Sequence, residues 1–188
     1  MNIEQMDLML KQSLKPERYI HSVRTMKEAI TLAEHYGEDI DKAAVAGLIH
    51  DCAKNLLDDE TLEYCRVNGI KPSGVEKKQV YLLHGEVGAI IAREKYGVED
   101  ASILNAIKHH CTGYSNMSML DKIIFLADYI EPGRTHGGVD VIRELAYKDI
   151  NKALVSAFDG TIRYVIEQKG LIHPNTIEAR NNIIMLIS

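Results

Sequence analysis

Histidine and aspartate residues beside apolar stretches are the candidates for chemistry in this chain. His50 and Asp51 are adjacent and follow the apolar run 43–49. Imidazole and carboxylate groups both bind divalent first-row metals, and two neighbours at the end of a buried segment can hold one ion from two directions. Four further candidates lie far apart in the sequence, each in or beside an apolar stretch: His21, His84, His110 and Asp128. The sequence therefore predicts a metal site gathered from several elements.

Each candidate also has a structural explanation. A single histidine on an apolar helix, such as His21, is more often a hydrogen-bonded core residue than a ligand. His84 is followed by small residues, which favour close helix packing but do not explain the histidine. Asp128 lies in the apolar run 123–130, where an unpaired carboxylate is costly to bury, so it needs a cation, an arginine or backbone amides.

Length and composition predict one domain. The chain has 188 residues, 46% of them hydrophobic, which suffices for a substantial core without disulfides. We expect a single domain over 1–188, with the site motifs within 18–134 and a helical extension over 139–188. The net charge of −5 argues against a nucleic acid polymer or an anionic membrane surface as the partner.

Three cysteines, Cys52, Cys65 and Cys111, form no CxxC pair, which is typical of a reducing compartment. The first seven residues carry acidic groups where a signal peptide needs basic ones, and no apolar run reaches transmembrane length. The expected location is the cytoplasm, with no membrane association.

The elements that must position these residues are predicted to be helices almost throughout, giving an all-α helical bundle. Pro16 suits the first turn of a helix ending at Gly37, with an apolar stripe at Ile20, Val23, Met26, Ile30 and Ala33. Further apolar segments are predicted at 41–50, 58–67 (N-cap Asp58 or Asp59), 80–96, 102–110 and 119–130. No segment alternates as a strand would.

Two C-terminal helices are also predicted. The first follows the cap candidate Asp149 and carries an apolar face through Phe158 to Val165. The second follows Pro174, with a capping box at Asn175 and Glu178. Neither a GxxxxGK[ST] loop nor a GxGxxG fingerprint is present, so phosphate chemistry would depend on a metal.

Several sequence blocks together resemble the motifs of one known family. They are 18–23 (RYIHSV), 46–51 (AGLIHD), 83–85 (LHG), 110–113 (HCTG) and 120–134 (LDKIIFLADYIEPGR). In this order they are similar to the motifs of the HD-domain metal-dependent phosphohydrolases. The last block and the tail 172–176 (IHPNT), with Arg180 and Asn181, resemble more specifically the YqeK-type symmetrical bis(5'-nucleosyl)-tetraphosphatases.

The resemblance implies a primary metal, expected to be iron, held by His21, His50, Asp51 and Asp128. Asp51 could bridge to a second ion. His84 and His110 would ligate that second ion or, with one ion bound, face the substrate phosphates, and the sequence does not choose between these roles. His110 is favoured over its neighbour His109, which is expected to support the site or contact substrate.

Cleavage of a phosphoanhydride needs an activated water and neutralised phosphoryl oxygens, and a metal can supply both. Three cations are candidates for the phosphates: Lys54, Arg134 and Arg18. A solvated lysine is the alternative for Lys54, and an ion pair with Glu17 or a neighbouring helix for Arg18. The expected catalytic set is Asp51, Lys54, His84, His110 and Arg134.

The tail residues His173, Asn175 and Thr176 would contact the nucleotide if the tail folds back over the site, although capping alone explains Asn175. His35 and His136 are left outside the site. A helix dipole explains His35, and His136 is assigned to a flexible loop beside Gly137 and Gly138.

The predicted activity is hydrolysis of diadenosine tetraphosphate at its central anhydride by metal-activated water, giving two ADP. A nucleotidase acting on mononucleotides is one alternative, because it would share the metal core. A non-catalytic, metal-dependent nucleotide sensor is another. The protein could form a homodimer.

Overall fold

The computed structural model describes residues 1–187, and this part of the chain contains helices and connecting turns but no strand. The all-α prediction is therefore confirmed. The helices described are α1 Ile3–Ser13, α2 Pro16–Tyr36, α3 Ile40–Ile49, α4 Asp58–Val67, a 3-10 helix Val80–Leu83, α5 His84–Tyr96, α6 Ala101–His109, α7 Met119–Ile130, α8 Val139–Ala146, α9 Ile150–Glu167 and α10 Pro174–Ile187.

Local capping chemistry sets most of these boundaries. Gly37 ends α2 in the left-handed conformation (φ 68°), which glycine adopts without steric cost. The Asp149 side chain accepts a hydrogen bond from the Lys152 amide and starts α9 where the sequence predicts. Ser118 and Asp121 form a capping box at the start of α7.

Some boundaries differ from the prediction. Leu57, rather than an aspartate, precedes α4, because its amide donates to the Glu60 carboxylate at 2.8 Å. Pro174 is the first residue of α10, so Asn175 lies inside the helix and its amide donates to His173 Nδ1. Helices α1 and α8 were not predicted individually.

The buried face of α2 also differs from the predicted stripe. Ile20 is 47% exposed, and Val23, Met26 and Ile30 are only half-buried. Ala33 is the one member of the predicted stripe that is buried, and the buried face also carries His21, Ser22, Thr25, Ala29 and Leu32. Small and polar residues occupy it because α2 lies very close to α3, where a Cβ at Gly47 would be 2.9 Å from Met26 Cα. This close approach brings His21 toward the end of α3.

The core surrounds α7, which packs against α2, α3, α6, α8 and α9. Its residues Ile123, Ile124 and Leu126 are fully buried. The ring of Phe125 contacts that of Phe158 on α9, with ring centroids 4.4 Å apart. Among the described residues, no helix combines the length and apolar character needed to cross a bilayer.

Candidate metal centre

Four predicted ligands from three helices converge in one group. His21 lies on α2, His50 and Asp51 follow α3, and Asp128 lies on α7. His21 Nε2 is 3.3 Å from His50 Nε2 and 3.0 Å from Asp128 Oδ1. His50 Nε2 is 3.6 Å from Asp51 Oδ2. These distances leave the ring nitrogens and carboxylate oxygens facing a common point.

A second group shares the Asp51 carboxylate. Its other oxygen, Oδ1, is 3.2 Å from His84 Nε2 and 3.5 Å from His110 Nε2. These two nitrogens are 3.0 Å apart. Asp51 thus presents Oδ2 to the group around His21 and Oδ1 to the group around His84. The carboxylate lies between two sets of donors.

Backbone carbonyls determine which ring nitrogen faces the cluster. His50 Nδ1 donates to Gly47 O at 2.8 Å, His84 Nδ1 to Tyr81 O at 2.5 Å, and His110 Nδ1 to Ile107 O at 2.7 Å. A carbonyl oxygen only accepts, so the proton of a neutral ring is on Nδ1 and the Nε2 lone pair points inward. Facing lone pairs repel each other unless a cation lies between them.

The cluster fits a divalent metal on three counts. The donors are imidazoles and carboxylates, the set that first-row metals prefer. Three overlapping groups have their ligand atoms within 4.8 Å of one another: His21, His50 and Asp51; His50, His110 and Asp128; and Asp51, His84 and His110. Asp51 Oδ1 is buried and has no hydrogen-bond partner within residues 1–187. A cation would satisfy that oxygen.

Burial favours the neutral form of two cluster histidines, His50 and His84. It lowers the pKa of His50 to about 3 and also lowers the pKa of His84. Burial raises the pKa of Asp51, but the cluster histidines outweigh it and hold that pKa well below its usual value. At neutral pH His50 and His84 are therefore uncharged imidazoles and Asp51 is an ionised carboxylate, which are the forms that bind a metal.

Glu131, to which the sequence analysis assigned no role, holds the ring of His21. Its side chain is buried, and its Oε1 accepts from His21 Nδ1 at 3.2 Å. Its Oε2 accepts from the Gly133 amide at 2.5 Å. A carboxylate behind a ligand histidine fixes the ring orientation and raises its basicity. Glu131 was missed because it follows α7 with no spacing that links it to His21, 110 residues earlier.

Replacing Glu131 with glutamine is expected to weaken metal retention about 10–100-fold, the usual effect of losing such a support. The amide keeps the size of the side chain but removes its charge. Metal content after dialysis against graded chelator measures the effect. Glu144→Gln is the matched control, because Glu144 is exposed and pairs with the exposed Lys148. Equal metal retention in both variants would contradict the role of Glu131.

The three predicted cations all lie at the cluster. Arg18 donates to Asp51 Oδ2 at 2.8 Å, and Arg134 pairs with Asp128. Lys54 Nζ is 3.0 Å from His84 Nε2 and 4.0 Å from Asp51 Oδ1. Lys54 thus contacts the cluster, and Arg18 pairs with the buried Asp51 after the neighbouring helix α3.

These cations line one cavity of about 560 Å³ that opens onto His21. Its positively charged lining residues are Lys15, Arg18, Arg24, Lys54 and Arg134. Lys15 and Arg24 were not predicted, since an exposed lysine or arginine on a helix carries no signal of its own. The cavity combines positive charge with direct access to the cluster, so it suits a polyanion such as a phosphate chain.

Other predicted residues lie outside the cluster. The His109 ring packs on Tyr114, with centroids 4.5 Å apart, while His110 lies inside the cluster.

The C-terminal tail also lies outside the cluster. His173 Nε2 is 3.6 Å from Glu76 Oε1. His173 and Thr176 line a small cavity of about 40 Å³ with Cys111 and Thr112, the residues after His110. The tail therefore packs beside the His110 turn, and the structure shows no contact between Asn175 and the cluster.

The cysteines make no disulfide within the described residues. Burial raises the pKa of both Cys52 and Cys111 to about 12. Each thiol stays protonated at neutral pH, so neither is a nucleophile in this structure.

Comparison with known proteins shows similarity over nearly the whole chain. A model of the HD domain matches residues 18–133. The symmetrical bis(5'-nucleosyl)-tetraphosphatase of Bacillus subtilis is 37% identical over 96% of this chain and 97% of its own length. The enzyme of the same name from Staphylococcus aureus is 39% identical over 96% and 94%. A Clostridium acetobutylicum crystal structure, described as a predicted HD superfamily hydrolase involved in NAD metabolism, is 46% identical with a TM-score of 0.96, covering 99% of this chain and 98% of that one.

Proposed function

Because this chain belongs to the HD-domain family, we propose that it is a symmetrical bis(5'-nucleosyl)-tetraphosphatase. It hydrolyses diadenosine tetraphosphate at the central phosphoanhydride and releases two ADP. The observation that carries the proposal is the Asp51 carboxylate between two groups of histidines, beside a cationic cavity that His21 also lines. Full-length similarity to enzymes named for this reaction supports the choice of substrate.

A divalent metal would be held by His21, His50, Asp51 and Asp128, and a second ion by Asp51, His84 and His110. When bound, the metal lowers the pKa of water and polarises the phosphoryl oxygens. We propose iron, which the resemblance implies and which imidazole and carboxylate donors accept. Metal analysis of protein purified without added metal tests its identity and count.

The cations of the chain bind the polyphosphate and hold it in place. Arg134 offers a planar fork that suits bidentate phosphate binding, and it approaches from the Asp128 side. Arg18 donates to Asp51 Oδ2, and Lys54 Nζ lies 4.0 Å from Asp51 Oδ1. Together they neutralise the charge that develops on the phosphoryl oxygens. ADP is a weakly basic leaving group, so this electrostatic support matters more than a proton donor.

Product analysis tests the proposal. Chromatography of the products from diadenosine tetraphosphate should show ADP alone, two for each substrate consumed. ATP with AMP would indicate cleavage at an outer anhydride and contradict the proposal. Release of orthophosphate from mononucleotides would favour the nucleotidase instead. Tight binding without turnover by metal-loaded protein would favour the sensor.

Two further expectations remain proposals. We propose that the protein acts in the cytoplasm, and that it forms a homodimer. Light scattering coupled to size-exclusion chromatography measures the mass in solution, and a mass near 21 kDa would exclude the dimer.

A further inference from the structure

A second large cavity lies between the end of α7 and the C-terminal half of α9. Its volume is about 600 Å³, within the range of small-molecule sites. Arg134 lines both this cavity and the cationic cavity over the cluster. A ligand with phosphates at the cluster can therefore extend past Arg134 into this space.

Aromatic groups line this cavity, in contrast to the cationic one. Tyr129 and His136 form an edge-to-face pair with ring centroids 4.5 Å apart. Tyr164 lies on α9 and is 63% exposed. Exposed aromatic rings beside a cavity are suited to stacking with a nucleobase. The small cavity near His173, at about 40 Å³, cannot hold a base.

Polar groups for a nucleoside are present on the same helix. Arg163 is exposed and forms no ion pair with a carboxylate among residues 1–187, so its donors are available. Glu167 lies one turn after it and also lines the cavity. An arginine and a carboxylate provide donors and acceptors for base edges and ribose hydroxyls.

Gly160 allows Tyr129 to pack closely against α9. It lies inside α9, where glycine is destabilising relative to alanine. A Cβ at this position would overlap the Tyr129 hydroxyl group. Glycine therefore permits Tyr129 to lie across the face of α9, where it lines the cavity together with Tyr164.

We propose that the cavity between α7 and α9 binds one nucleoside of the substrate, with the base stacked on Tyr164 and the phosphates passing Arg134. This inference rests on the proposed function, which supplies a nucleotide ligand. It also includes His136, which the sequence analysis left outside the site.

Calorimetric binding of ADP and of inorganic pyrophosphate to the metal-loaded protein tests the proposal. Tyr164→Ala should raise the Kd for ADP about tenfold, the expected effect of losing one stacked base. The Kd for pyrophosphate should stay within about twofold, because pyrophosphate has no base. Tyr164→Phe keeps the ring and should bind ADP nearly as the unmodified protein does. In kinetics, Tyr164→Ala should raise KM more than it lowers kcat.

Ile166→Ala is the matched control, because Ile166 is exposed on the same helix and does not line the cavity. Unchanged ADP affinity in Tyr164→Ala would overturn the proposal, as would an equal loss of ADP and pyrophosphate affinity. This comparison of Kd values for ADP and pyrophosphate does not depend on hydrolysis of the substrate. The unmodified protein could cleave the substrate asymmetrically while Tyr164→Ala selectively loses ADP affinity. That pair of results would contradict the proposed function and support the nucleoside site.

Discussion

Asp51→Ala is expected to lose both metal retention and hydrolysis. Its carboxylate presents one oxygen to each set of histidines, so its removal takes a ligand from each. Metal affinity should fall by more than about 10–100-fold, the usual effect of losing a residue that hydrogen-bonds a ligand, as Glu131 does. Hydrolysis of diadenosine tetraphosphate should fall by about 10³-fold or more, because the metal and the positioned phosphates are both affected. Metal analysis and single-turnover kinetics measure the two effects.

The fold should survive this change. Asp51 is buried, and removal of a buried charge also removes its desolvation cost. Its partner Arg18 has a side chain that is 34% exposed and can turn to solvent. Far-UV circular dichroism should therefore remain that of a helical protein. Asp41→Ala is the control, since Asp41 is exposed in the first turn of α3. Full activity of Asp51→Ala would refute the mechanism.

Gly85→Ala is expected to damage the His84 and His110 pair without touching either ring. A Cβ at Gly85 would overlap the Lys108 carbonyl oxygen and lie 3.3 Å from Ile107 O. Ile107 O is the acceptor that orients His110. Overpacking of this kind costs about 1–3 kcal/mol of stability. Displacement of reacting groups by about 1 Å can reduce activity about 10²-fold.

Thermal unfolding and steady-state kinetics on the same preparation test both effects. For a chain of this size the melting temperature should fall by about 2–4 °C for each kcal/mol lost. Gly74→Ala is the matched control, because a Cβ there meets no atom within 4 Å. A Gly85→Ala protein with unchanged stability and activity would show that α5 and α6 do not need this close contact.

Local sequence was enough to predict most of the helices and to single out the candidate ligands. The boundaries of α2, α7 and α9 follow from Pro16, Ser118 and Asp149. Capping and apolar periodicity act between residues three or four positions apart, so they can be recognised in a single sequence. The same reasoning failed at Asn175, which lies inside α10 and donates its amide to His173. It also failed at Ile20, because the close approach of α2 to α3 determines which face of α2 is buried.

Tertiary structure alone decided how the ligands are arranged. The approach of His21 to His50, the support of His21 by Glu131 and the pairing of Arg18 with Asp51 depend on residues separated by 29 to 110 positions. The aromatic cavity depends on α9 lying across Tyr129. Such contacts result from close helix packing at Gly47 and Gly85, where backbones meet. Side-chain types are written in the sequence, but their directions are set by packing between distant helices.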